Sequence, residues 1–167
     1  MKIEFKQTRD IYEYGKIVSS LLPDFGIIFC QTIMEWCKVI PLITCNRNYW
    51  EWYLVYYNDK VIGCCGLYSL SDSTDELWLS WFGLLPEYRG NKIGDKMLDF
   101  LYSLARTVNC KIVRSYVDKS GGPLKFYKRN GFIITGTVRE FLDKNKLKEI
   151  DGNEFEDMND FVIEKNI

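Results

Sequence analysis

The sequence predicts an α+β fold: a mixed, mostly antiparallel sheet of six to seven strands with about four helices on its two faces. Three features carry that prediction. Two β runs, Trp50–Tyr57 and Lys60–Leu70, meet at Asn58-Asp59, a hairpin signal. A helical stripe lies between two further β runs, Glu76–Leu85 and Lys111–Val117, which makes a β-α-β crossover. The full order of runs, β-α-α-β-β-β-α-β-α-β-β, joins hairpins to crossovers, and chains of that kind lay helices over a sheet.

Each element has its own signal. Residues 2–8 alternate polar and apolar and read as a strand. From Asp10 onward, Ile11, Tyr14, Ile17, Val18 and Leu21 keep helical spacing, with Pro23 placed just past the helix end. Gly26 to Ile40 predicts a second, strongly apolar helix, with Phe29, Ile33, Cys37 and Ile40 near one face; Pro41 to Tyr49 reads as loop. Ser71–Asp75 is a polar turn into the third β run, WLSWFGLL at its heart, which Pro86 ends. From Lys92, the residues Ile93, Met97, Leu98, Leu101, Leu104, Ala105 and Val108 form one stripe. Pro123–Asn130 reads as a short helix, proline near its first turn and Gly131 as its stop. Phe132–Val138 reads as a strand, the charged stretch Asp143–Asp157 as a loop, and Asp160–Lys165 as a last strand. No repeat, low-complexity tract or linker interrupts the chain, so residues 1–167 read as one domain.

Composition removes several function classes. The net charge is −1, so no broad electrostatic grip on nucleic acid is expected. The most apolar stretch, Gly26 to Ile43, is broken by Gln31, Glu35 and Lys38, so no membrane span is expected. The opening MKIEFKQTRD lacks the apolar run of a secretory signal, which points to the cytoplasm. The six cysteines include Cys64 and Cys65, adjacent and thus on opposite faces of a strand, and no C-x-x-C pair; free, mostly buried thiols are expected. There is no histidine. Ser-His-Asp and Cys-His machinery is therefore impossible, the usual histidine-containing zinc sites are excluded and no metal is expected. Proton transfer falls to Asp, Glu, Tyr, Cys, Lys, water or a terminal amine.

The most informative segment is WFGLLPEYRGNKIGDKML, Trp81–Leu98. A strand stops at a proline, a short turn contains Gly90, and an amphipathic helix begins near Lys92, so free backbone N–H groups and the positive end of a helix dipole meet at one spot. A pyrophosphate would be held there, with Arg89, Lys92 and Lys96 adding charge, Gly90 admitting phosphate oxygens and Gly94 keeping the first turn uncrowded. Glycines at a strand-to-helix turn are also common without any ligand. Neither the P-loop spacing nor the dinucleotide G-x-G-x-x-G is present.

This segment resembles motif A of the GNAT acetyltransferases, whose acetyl-CoA loop reads R/Q-x-x-G-x-G/A. Arg89 takes the first position and Gly94 the last; Lys92 stands at the usual glycine, where its amide can still donate provided its φ stays helical. PLKFYKRNGF, Pro123 to Phe132, is similar to motif B of the same family, with Tyr127 at the tyrosine and Gly131-Phe132 as the closing pair. Ser120 and Pro123 stand where that motif keeps asparagine and alanine. The resemblance runs from about Ile3 to Lys165.

The resemblance implies a V-shaped cleft where the strand ending at Leu85 parts from Lys111–Val117. It implies acetyl-CoA as cosubstrate, the pantetheine arm against Phe82, Gly83 and Leu84, and the pyrophosphate on Arg89, Gly90, Asn91, Lys92, Ile93, Gly94 and Asp95, with Ser120 as a further contact. A backbone N–H of this strand, that of Phe82, would polarise the thioester carbonyl, and Tyr127 would protonate the departing thiolate. The acceptor would be a primary amine of a small molecule or peptide, attacking directly in a ternary complex; dimers are common among similar proteins. Glu76 is the preferred base, acting directly or through water, and it shares strand parity with Trp78, Ser80, Phe82 and Leu84. Glu35 and Asp75 are the alternatives. Gly26–Trp50 and the acidic residues Asp143, Glu149, Asp151, Glu154, Glu156 and Asp157 would recognise the acceptor. Each residue also has a plain structural account: a buried strand, a core tyrosine, a solvated carboxylate, core tryptophans at positions 36, 50 and 52. Two other classes remain open, a module that holds acyl-CoA without turnover and an interaction domain that does not bind CoA.

Overall fold

The computed structural model describes residues 2–41, 49–119, 121–147 and 158–167. The strands are β1 (Ile3–Lys6), β2 (Trp50–Tyr57), β3 (Lys60–Tyr68), β4 (Glu76–Leu84), β5 (Ile112–Val117), β6 (Ile133–Thr137) and β7 (Phe161–Asn166). The helices are α1 (Ile11–Phe25), α2 (Ile27–Trp36), α3 (Ile93–Thr107), α4 (Gly122–Arg129) and α5 (Val138–Asn145). The strands form one seven-stranded sheet in the order β1-β2-β3-β4-β5-β7-β6. Only β4 and β5 run parallel, because α3 crosses over between them; the other neighbours are antiparallel.

Period-2 patterning sorts the strand residues to two faces. On one face α3 lays Ile93, Met97, Leu98, Leu101 and Ala105 over Val55, Ile62, Cys65, Leu67, Leu77 and Leu79, and α4 adds Tyr127. On the other, Tyr14, Ile17 and Leu21 of α1 and Phe29, Ile33 and Trp36 of α2 cover Trp52, Leu54 and Cys64. Adjacent Cys64 and Cys65 thus serve opposite cores, and the five described cysteines are free thiols. Trp36 and Trp52 are buried core residues. Val138 and Leu142 of α5 pack with Tyr68, Trp78 and Val162, and Trp50 borders both this cluster and the one beneath α1, which puts α5 on the α1 side. Among the described residues, no helix is long and apolar enough to cross a membrane.

Three elements depart from expectation. α1 runs through Pro23 and stops at Gly26, whose φ of 72° and N–H bond to the Leu22 carbonyl at 2.8 Å end it. Proline in the last turn removes one hydrogen bond without halting the chain, whereas a left-handed glycine turns it away. α2 stops at Trp36 because Lys38 is left-handed (φ 59°) and the Val39 N–H returns to the Met34 carbonyl at 2.8 Å. α5 occupies residues expected to be strand end and loop. Thr137 caps it, accepting from the Glu140 N–H at 3.3 Å, while the Glu140 carboxylate accepts from the Thr137 N–H at 2.7 Å. Replacing Thr137 by Ala removes one half of this reciprocal cap, and we expect a loss of about 1 kcal/mol in urea unfolding.

Candidate functional site

β4 and β5 are paired only over Glu76–Trp78 with Ile112–Arg114. Beyond Trp78 the two strands part, and the rest of β5, Ser115–Val117, pairs only with β7. The gap left between them is the V-shaped cleft. Its β4 wall carries a bulge: Cys64 opposes Gly83 while Gly66 opposes Ser80, so β4 holds one residue more than β3 over this stretch. The bulge centres on Trp81, with φ 43°. The extra residue reverses the alternation, so Glu76 and Trp78 share the α5 side whereas Phe82 and Leu84 pack with α3 and α4. The expected shared parity of Glu76 with Phe82 and Leu84 is therefore incorrect; a bulge cannot be counted from a run of apolar residues.

At the open end of the gap, a single 3₁₀ turn (Pro86–Tyr88) leads into α3. Gly90 has φ 79° and Lys92 φ 58°, both left-handed. The helical φ made a condition for donation by the Lys92 amide is not met, yet among the described residues no carbonyl takes its N–H; the left-handed conformation accounts for a glycine preference at this position. No side chain caps α3, and among the described residues no backbone carbonyl accepts from the N–H groups of Gly90, Asn91, Lys92, Ile93, Gly94 or Asp95. Six adjacent donors at the positive end of a fifteen-residue helix form a cradle suited to an anion. The Arg89 guanidinium turns away from it, with Nε donating to the Leu84 carbonyl at 2.9 Å and Nη2 paired with Asp24. Gly94 lies against the Phe126 ring, where a Cβ would stand 3.0 Å from Cε2.

α4 roofs the gap on the α3 side. Its Tyr127 ring lies 6.1 Å from that of Phe82 and 5.2 Å from that of Phe132, and it shares a core cluster with Val113 and Val117 of β5. Tyr127 therefore spans both walls. Burial pushes its phenol well above the ordinary range and keeps it protonated. The Asp95 carboxylate joins α3 to the end of α4, accepting from Asn130 Nδ2 at 3.0 Å and Arg129 Nη2 at 2.9 Å, and the Asn130 bond in particular holds it below the usual aspartate value. Gly83 lies against the Phe25 ring of α1.

On the opposite side of the sheet, Glu76 is paired with Arg114, which also pairs with Glu164 at 3.0 Å. These residues line a pocket of about 330 Å³ with Thr135, Glu140 and Phe141, so Arg114 is a polar residue that sequence patterning did not single out. Glu35 is buried and accepts from Gln31 Nε2 at 3.0 Å, and Asp75 is paired with Lys111 at 3.2 Å. Asp143 lies on α5, while Ser120, Glu149, Asp151, Glu154, Glu156 and Asp157 lie outside the described residues. The structure thus gathers residues 82–95 and Tyr127 around one corner and sets Glu76 at the closed end of the gap, on the other side.

Two outcomes test this corner. Lys92→Gly relieves a left-handed side chain, and we expect unfolding free energy to rise by about 1 kcal/mol. Because the folded Asp95 carboxyl titrates low, the stability it contributes is whole above about pH 5 and drains as pH falls through the lowered value. We expect Asp95→Asn to unfold more readily than the unsubstituted chain near neutrality, with the difference shrinking on acidification to roughly pH 3.

Comparisons with known proteins agree with this geometry. The family profile described as "Acetyltransferase (GNAT) domain" matches residues 48–134. No curated protein matches the sequence. Among solved structures, the PaiA N-acetyltransferase of Thermoplasma acidophilum in complex with coenzyme A is 18% identical, with TM-score 0.64 and 100% of both chains covered. A GNAT family acetyltransferase from Elizabethkingia anophelis with acetyl-CoA bound is 18% identical at TM-score 0.66, covering 99% of this chain and 97% of that one. An Arabidopsis thaliana protein in complex with the bisubstrate analogue CoA-Ac-MVNAL is 19% identical at TM-score 0.65, with 100% of both chains covered. At these identities the structures show a shared fold, and the profile, which spans more than half the chain, shows the family: this chain belongs to the GNAT acetyltransferases.

Proposed function

We propose that this chain transfers the acetyl group of acetyl-CoA to a primary amine by direct attack in a ternary complex. The observation that carries the proposal is the parting of β4 from β5 after Trp78 and Arg114, with the uncapped start of α3 at the open end and Tyr127 over the gap. Bound acetyl-CoA supplies an activated acetyl thioester. The N–H groups of Gly90 to Asp95 hold its pyrophosphate, and the strand edge Phe82–Leu84 pairs with its pantetheine arm. Arg89 acts indirectly, fixing the strand end through the Leu84 carbonyl and tying the turn to α1 through Asp24.

In the transfer, the amine nitrogen forms a bond to the acetyl carbonyl carbon and the carbon–sulfur bond breaks. Negative charge gathers on the carbonyl oxygen, where the Phe82 N–H donates; one such preorganised donor is worth about 3 kcal/mol. The leaving thiolate takes the Tyr127 proton, which burial has kept in place. The amine approaches from the α5 side, through the pocket lined by Glu76, Glu140 and Glu164 together with Arg114 and Lys144. As an ammonium it gives one proton to Glu76, directly or through water, before it attacks; the second nitrogen proton leaves once the carbon–nitrogen bond has formed and, through water, restores the Tyr127 phenol. Tyr127 and Glu76 then work from opposite sides of the sheet, which separates the proton donated to sulfur from the proton taken from nitrogen.

The test is CoA release from acetyl-CoA across a panel of small-molecule and peptide amines. We expect Tyr127→Phe to lower kcat by roughly 10²-fold while acetyl-CoA affinity, by calorimetry, stays within about threefold. Release by no amine despite tight acetyl-CoA binding would replace the enzyme by a binding module.

A further inference from the structure

Cys64 lies fully buried in β3, beneath the bulge of its neighbour β4. Its Sγ stands 3.1 Å from the Trp81 carbonyl oxygen, to which the thiol donates. Trp81 is a bulky left-handed residue, a conformation that costs about 1–2 kcal/mol and persists only where its surroundings fix it. Its ring is packed against Phe25 and Phe29, each 5.3 Å away between centroids, and its carbonyl is held by Cys64.

The Trp81 carbonyl and the Phe82 N–H belong to one peptide unit. Among the described residues no peptide bond is cis, so the two groups point in opposite directions from one plane. A carbonyl drawn toward Cys64 on β3 therefore sends the Phe82 N–H away from β3, toward the side where β5 has parted from β4. We propose that the Cys64 thiol is a positioning residue for acyl transfer: by holding the Trp81 carbonyl it aims the Phe82 N–H into the gap between β4 and β5. This deepens the function proposed above and rests on it. Without the thiol, the peptide unit is free to rotate and the donor no longer meets the carbonyl oxygen on which charge develops.

Three variants separate positioning from packing. Cys64→Ser keeps a donor of similar size, Cys64→Val keeps the apolar volume without a donor, and Cys64→Ala keeps neither. We expect kcat to fall about tenfold or more in Val and Ala and to return to within about threefold in Ser, with KM for acetyl-CoA little changed in all. A packing role would instead rank Val at or above Ser, and that order overturns the proposal. A second readout needs no acceptor: in ¹⁵N-labelled protein, acetyl-CoA, compared with CoA, shifts the Phe82 amide resonance in the unsubstituted chain and in Ser but not in Val or Ala. The same shift in all four proteins also overturns it. An acetyl-dependent shift that follows this pattern, with no amine releasing CoA, upholds the positioning of the donor and overturns the transfer reaction instead.

Discussion

One backbone torsion organises the centre of this molecule. Trp81 is left-handed within β4, and the bulge it makes hands the strand from one face to the other. Before it, Trp78 packs with α5; after it, Phe82 and Leu84 pack with α3 and α4. Without that switch, Phe82 would not lie beside Tyr127, and the edge of β4 would continue flat along β5. The bulge is stabilised from three directions: the Phe25 and Phe29 rings, the Cys64 thiol, and the Leu85 N–H, which returns to the Ile62 carbonyl at 2.8 Å and restores the ladder with β3.

The corner beyond β4 is built so that its side chains look outward and its backbone looks inward. Arg89, the most obvious cation of the turn, is spent on Asp24 and the Leu84 carbonyl, and the Asp95 carboxylate on Asn130 and Arg129. Both bonds brace the surrounding elements, the first against α1 and the second against α4. The amides are left as donors, an arrangement that suits an extended, multiply charged anion better than a single flexible cation would. Gly94 against Phe126 sets how closely α3 and α4 approach, and hence the width of the site between them.

Much of this was legible in the residues because periodicity and punctuation report on local structure. The hairpin at Asn58-Asp59, the α3 stripe and the proline after β4 each sit where their chemistry requires. The bulge was not legible, since WLSWFGLL reads equally well with or without an extra residue, and its parity error carried Phe82 to the wrong side. Lys92 could not be known as left-handed from one lysine in a turn. α5 is different: Thr137 and Glu140 spell a capping box ahead of Phe141 and Leu142, and the charge of the stretch that follows obscured it. Arg114 acts through cross-strand neighbours, Glu76 and Glu164, which no local pattern announces.

α5 interrupts the connection between β6 and β7, and it is fastened to the sheet through Val138 and Leu142 on Tyr68, Trp78 and Val162. None of those anchors belongs to the turn, α3 or α4. The supports of α5 are therefore separate from those that fix the start of α3. Glu140, Phe141, Lys144 and Asn145, the side chains that α5 adds to the pocket, can thus be exchanged without disturbing any contact that holds the first turn of α3.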